Sequence, residues 1–135
     1  MTLARGPLAG TIGYEVLGAD GGAAFTSFQS PLGALFRFQG WAGRFTVTPP
    51  NGLHDLYATL KGGWQQQGRF DGVTLQATWH RFRSDRLDIP YGAEIDLLAS
   101  VKLGRSTISS RYARYRADQF TTDTDKFWLS YEWAL

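Results

Sequence analysis

Two histidines and a scatter of carboxylates are the residues whose types could carry proton-transfer chemistry. His80 has Asp85 and Asp88 close along the chain, and His54 is followed directly by Asp55. A histidine held by a carboxylate supplies the acid–base half of many hydrolytic sites, but a nucleophile or a metal must supply the rest. No nucleophile elbow, HExxH pair or phosphate loop accompanies either histidine. On a strand, moreover, His54 and Asp55 point to opposite faces. Both histidines are therefore expected as polar wall or rim residues, and no enzyme is expected. The runs "SDRLD" and "TTDTD" carry oxygens that suit Ca²⁺ but lack EF-hand spacing. They are expected in a turn and a loop, with no metal and no cofactor.

The elements that must position these groups are strands. In "YGAEIDLLASVKLG", Ala93, Ile95, Leu97, Ala99, Val101 and Leu103 share one side, and Glu94, Asp96, Leu98, Ser100 and Lys102 the other. The same alternation recurs in "GTIGYEVLG", "LHDLYATLKGG", "VTLQATWHRF", "ISSRYARYRAD" and "DKFWLSYEWAL". Taken in chain order, short turns follow the second and fourth of these six runs, and longer or polar connections follow the first, third and fifth. That order predicts an all-β, up-and-down antiparallel arrangement of about six strands with its long loops at one end.

Composition narrows the classes. The 14 basic and 12 acidic side chains are interleaved, so no nucleic-acid partner is expected. Cysteine is absent, which removes disulfides, Cys-ligated zinc and thiol chemistry. No run approaches the roughly 20 apolar residues of a membrane helix, but a transmembrane strand needs only about 9 to 11 residues with every second one apolar. The first residues hold no apolar core after Arg5. In an envelope protein, the signal would have been removed or the beginning of the chain would be missing.

Long strands with one apolar and one charged face predict a transmembrane β-barrel segment over residues 1–135, part of a larger barrel. Its charged face would line a pore with Glu15, Asp55, Lys61, Gln76, His80, Glu94, Asp96, Lys102, Tyr112, Arg114, Arg116 and Glu132. Trp79, Tyr115, Phe127, Tyr131 and Trp133 would form lipid-facing aromatic belts. The long connection, about 19–52, would fold inward or cap the mouth through Phe36, Phe38, Trp41 and Phe45, in a short helix or irregular hairpin. A β-sandwich alternates in the same way, so a soluble β-domain that binds a ligand, and a barrel that anchors or binds without transport, stand as alternatives.

Several segments carry a resemblance: "GYEVLGADGG", "PLGALFRFQGWAGRFTVTPPNGLHDLYATL", "GVTLQATWHRFRSDR", "YGAEIDLLAS" and "RYARYRADQFTTDTDKFWLSYEW". Together they resemble the carboxy-terminal part of bacterial outer-membrane proteins of the alginate export family. The resemblance implies an outer-membrane barrel of about eighteen strands, with the remaining strands preceding this chain. It further implies passive transport or export of a hydrophilic, anionic polysaccharide solute. The implied partners are the lipid bilayer and the barrel-insertion machinery, which would read the aromatic run from Phe127 to Leu135.

Overall fold

A computed structural model of the chain describes residues 1–19 and 39–134. Among the described residues seven strands form one antiparallel sheet: β1 (Thr2–Arg5), β2 (Leu8–Leu17), β3 (Leu53–Gln67), β4 (Phe70–Arg83), β5 (Pro90–Leu103), β6 (Ser106–Ala117) and β7 (Thr124–Trp133). Each strand pairs with its neighbours in the chain, and every pairing is antiparallel. β1 is one strand more than the alternation predicts. The turn before it reaches β2 is marked by the Gly6-Pro7 dipeptide, a strong turn signal.

Tight turns set the registers. Gly6, Gly68 and Gly104 each occupy the first position of a two-residue turn, with φ of 58°, 65° and 55°. That left-handed backbone suits glycine and matches the twist of a hairpin. At the opposite end of the sheet the connections are 18–52, 84–89 and 118–123. A register shift between Phe82 and Arg83 bends β4 against the start of β5. Gly92 lies beside it with φ of 151°, where a Cβ would sit 2.3 Å from the Arg116 carbonyl oxygen.

The core occupies one end of the polar face, where residues 39–52 return across the sheet. Phe45 packs against Phe82, Phe120, Tyr91 and Tyr115 at ring-centroid distances of 4.4, 5.4, 5.9 and 5.9 Å. Ala42, Leu53 and Ala113 complete the buried set, with Trp41, Ile89 and Trp128 against it. The opposite face is open to solvent: Ile12, Leu60, Ile95, Leu97 and Leu129 are all exposed.

These findings correct the barrel expectation. The sheet is open, with β1 and β7 as its two edges, and among the described residues those edges do not pair with each other. Its charged residues do not look into a water-filled channel: Asp55, His80, Glu94 and Asp96 are buried and held in contacts with one another and with the returning loop. Alternation reports only that two faces differ, and a sheet that covers its polar face with a loop alternates as a channel wall does. The transmembrane barrel, the channel, the lipid and insertion-machinery partners, the preceding strands and the outer-membrane location are withdrawn with it.

Candidate functional site: a polar cleft beside the returning loop

Cross-strand register assembles the site from residues far apart in sequence. Glu15 stands opposite Asp55, Tyr57 opposite His80 and His80 opposite Glu94. One row further along the strands, Thr59 stands opposite Thr78 and Thr78 opposite Asp96. All these side chains share one face, because the pleat alternates and the two-residue turns keep that alternation in step. Gly13, directly across from Tyr57, makes room for its ring: a Cβ there would lie 2.2 Å from the ring.

The buried centre is a histidine between two carboxylates. His80 Nδ1 lies 3.0 and 2.9 Å from the two Asp55 oxygens, while Nε2 faces Asp96 Oδ2 at 3.6 Å, too far for a hydrogen bond. The imidazole also stacks on Phe82 at 5.4 Å with planes 9° apart. Asp55 therefore fixes the orientation of the ring. Its other nitrogen meets a carboxyl group rather than a hydroxyl or thiol.

Glu94 and Asp96 hold the loop. The Ala42 N–H donates to Glu94 Oε1 at 2.6 Å, and the Trp41 N–H donates to Asp96 Oδ2 at 3.1 Å. Burial and the neighbouring Glu94 carboxyl push Asp96 up to about 9, and the remaining oxygens, Glu94 Oε2 and Asp96 Oδ1, are buried without a partner among the described residues. The proton held on Asp96 removes the repulsion between two buried like charges. Gly40 has φ of 80° and lies against Glu94, where a Cβ would approach Oε2 to 2.5 Å.

Beside this centre lies a cleft of about 130 Å³, bounded by Glu15, Asp55, Tyr57, Gln76 and His80, with Gln39, Gly40 and Trp41 of the loop along one side. Thr59 and Thr78 form the floor, their hydroxyls 3.0 Å apart. Burial raises the Glu15 carboxyl above its ordinary range, the Asp55 charge adds to the rise, and His80 opposes it. No lysine or arginine borders the cleft among the described residues.

The expected wall residues divide into groups. Glu15, Asp55, Gln76 and His80 border the cleft, and Glu94 and Asp96 lie buried next to it. Lys61, Lys102 and Glu132 share the face but sit exposed toward its turn end. Tyr112, Arg114 and Arg116 are on the other face, opposite Leu97, Ile95 and Ala93. There Tyr112 donates to Asp125 Oδ1 at 2.5 Å, and Arg116 reaches Asp123 and Asp125 at 3.3 and 3.2 Å. Of the expected belt, Trp79, Phe127, Tyr131 and Trp133 are exposed on the apolar face, whereas Tyr115 is fully buried in the core. Its hydroxyl donates to the Tyr91 carbonyl at 2.6 Å, and burial pushes it up to about 12.

Phe45 packs in the core and Trp41 joins core and cleft; Phe36 and Phe38 lie outside the described residues. The histidine partners also differ from the sequence expectation. Asp85 meets His54 at 2.7 Å, Asp88 meets Arg83 at 3.1 Å, and neither reaches His80. The Ala19 N–H and His54 together hold Asp85 below its ordinary range. Tyr57, Thr59 and Thr78 were missed as site residues, although their parity with Asp55 and His80 on the strands places them there.

No protein-family model, no curated protein and no solved structure matches the chain. The resemblance to the alginate export family gains no support from these comparisons. The open sheet, with its buried and paired charges, replaces the porin fragment that the resemblance implied.

Proposed function

We propose that the chain is a binding domain whose polar cleft takes a small cationic, hydrogen-bond-donating group, an amine or a guanidine. The observation that carries this reading is the lining: two acidic side chains, Glu15 and Asp55, with the acceptors of Gln76, Tyr57 and the threonines, and no bordering lysine or arginine among the described residues. Asp55 is engaged by His80, so Glu15 is the carboxylate left to meet a ligand. Trp41 and Tyr57 offer aromatic surface, which attracts an organic cation through the negative face of the ring. An anionic saccharide would meet like charge here, and its carboxylates would find no cationic partner.

The chemistry favours binding over catalysis. His80 is oriented by Asp55 as in an acid–base dyad, yet its second nitrogen faces Asp96 and not a nucleophile. Titration calorimetry of the full chain with ethanolamine, guanidinium and gluconate tests the reading. Ethanolamine or guanidinium is expected to bind, with Glu15→Gln weakening the interaction about tenfold, the effect of losing one partly buried charge partner. Equal binding of gluconate, or cation binding indifferent to Glu15→Gln, would sink it.

A further inference from the structure

The face opposite the cleft sets a separate problem. A contiguous apolar surface of this extent is uncommon on a chain that stays alone in water. One cross-strand row runs over it from β2 to β7 without a charge, Gly10, Leu60, Ala77, Leu97, Tyr112 and Phe127, and the next, Ile12, Ala58, Trp79 and Ile95, meets charge only at its far end, in the Arg114–Asp125 pair. We propose that this face is the interface between two copies of the chain, packed sheet on sheet about a two-fold axis.

Shape is the first argument. A two-fold contact must be complementary to itself, so one surface has to carry both projections and the hollows that receive them. This face does. A hollow of about 470 Å³ lies between Ile12, Leu60, Trp79 and Ile95 over Ala58 and Ala77, and a second of about 560 Å³ lies beside Leu97 over Ala77 and Ala99. Large side chains alternate with small ones along the same strands, so the one face carries both the projections and the hollows that a two-fold contact needs.

Charge is the second. At the loop end of this face the ionic residues already have partners within the chain, Arg114 and Arg116 with Asp125 and Arg81 with Asp118, while Arg5 and Asp71 stand at its turn end, on the rim. The paired groups ask no opposite charge of a partner. Area is the third. Six strands at about 4.8 Å spacing and roughly ten residues of about 3.3 Å rise give a footprint of about 950 Å². That exceeds the approximately 800 Å² per partner of a standard stable interface. The inference goes beyond the ligand reading, since cleft and interface lie on opposite faces.

Sedimentation equilibrium and light scattering of the full chain, from about 1 to 50 μM, should give the mass of two chains. Leu60→Glu and Leu97→Glu change exposed side chains and should shift the dimer dissociation constant upward by at least about a hundredfold, while circular dichroism keeps the strand spectrum. Since the chain has no cysteine, single substitutions report the geometry: Ala77→Cys, central on the apolar face, should cross-link two copies with a short bifunctional maleimide. Lys102→Cys, on the cleft face, should not. A monomer at all concentrations, a monomer obtained only with bound detergent or lipid vesicles, a ladder of larger species, or equal cross-linking at both positions would each overturn the two-fold interface.

Discussion

Glu94 and Asp96 stand two positions apart on the same face of β5 and accept from two consecutive backbone amides, those of Ala42 and Trp41. The loop that returns across the sheet is thus held by a pair of buried, neighbouring carboxyl groups. Such a pair is tolerable in a buried setting only while a proton sits between its members, because two buried negative charges in contact repel strongly.

A pH dependence of stability follows. Asp96 is raised from an ordinary 3.8 to about 9, so between those limits the folded chain carries a proton that the unfolded chain has released. Stability should therefore be fully present below about 3.8 and fall as pH rises toward 9. Glu15 acts in the same direction, whereas the lowered Asp85 and Asp125 change stability only in the acid range, below the ordinary carboxylate value. Asp96→Asn places a neutral amide where the protonated acid was, with an oxygen for the Trp41 N–H and a donor for Glu94. Thermal melts between pH 5 and 8 should show a flatter dependence for this variant and a gain over the native chain that grows with pH. An unchanged slope would show that Asp96 is not the proton carrier.

Two residues before Glu94 on the same strand, Gly92 cannot be replaced. Its φ of 151° disfavours any side chain, and a Cβ would lie 2.3 Å from the Arg116 carbonyl and 2.7 Å from the Tyr115 hydroxyl. The first obstacle is backbone in a paired strand and has nowhere to move. Gly92→Ala should cost more than about 2 kcal/mol in urea unfolding, in the range of combined backbone strain and steric conflict. A loss within about 0.5 kcal/mol would mean that β5 and β6 separate there with ease.

Tyr115→Phe isolates one hydrogen bond in the core. The ring is fully buried, and its hydroxyl donates to the Tyr91 carbonyl at 2.6 Å and lies 3.1 Å from the Phe120 carbonyl. Phenylalanine keeps the contact with Phe45 and leaves both acceptors without this donor. Because the Asp118 N–H still donates to the Tyr91 carbonyl at 3.0 Å, a loss of about 1 kcal/mol is expected, the net worth of one buried hydrogen bond. Little or no change in stability would place water at those carbonyls.

The antiparallel neighbours in chain order were legible because alternation and glycine turns are local signals. The parity of β6 was not, since "RYARYRA" carries tyrosine and arginine residues at both parities. Strict use of the two-residue turn at Gly104 decides it: Leu103 pairs with Ser106, which sets Tyr112 beside Leu97 and sends Tyr115 to the covered face. The turn at Gly68 in the same way brings Asp55 diagonal to His80, a partner that sequence proximity to Asp85 and Asp88 concealed. The cover itself could not be read. Glu94 and Asp96 are bound by backbone amides more than fifty residues earlier, and an amide donor has no residue-type signature.

The ligand reading carries its own pH signature. Glu15 is raised by burial first and by the Asp55 charge second, so part of its population is neutral at pH values where an exposed carboxylate is fully ionised. A cation in the cleft favours the ionised form and lowers that pKa, so binding releases protons wherever Glu15 is partly protonated. Affinity for ethanolamine should therefore rise with pH through the carboxylate range and level off once Glu15 is ionised in the free chain, while the ligand amine stays charged. Calorimetry in buffers of different ionisation enthalpy reads the released protons directly. In Glu15→Gln both the rise in affinity and the proton release attributable to this group should disappear; a rise that persists in the glutamine variant would move the titrating group elsewhere and remove Glu15 from the site.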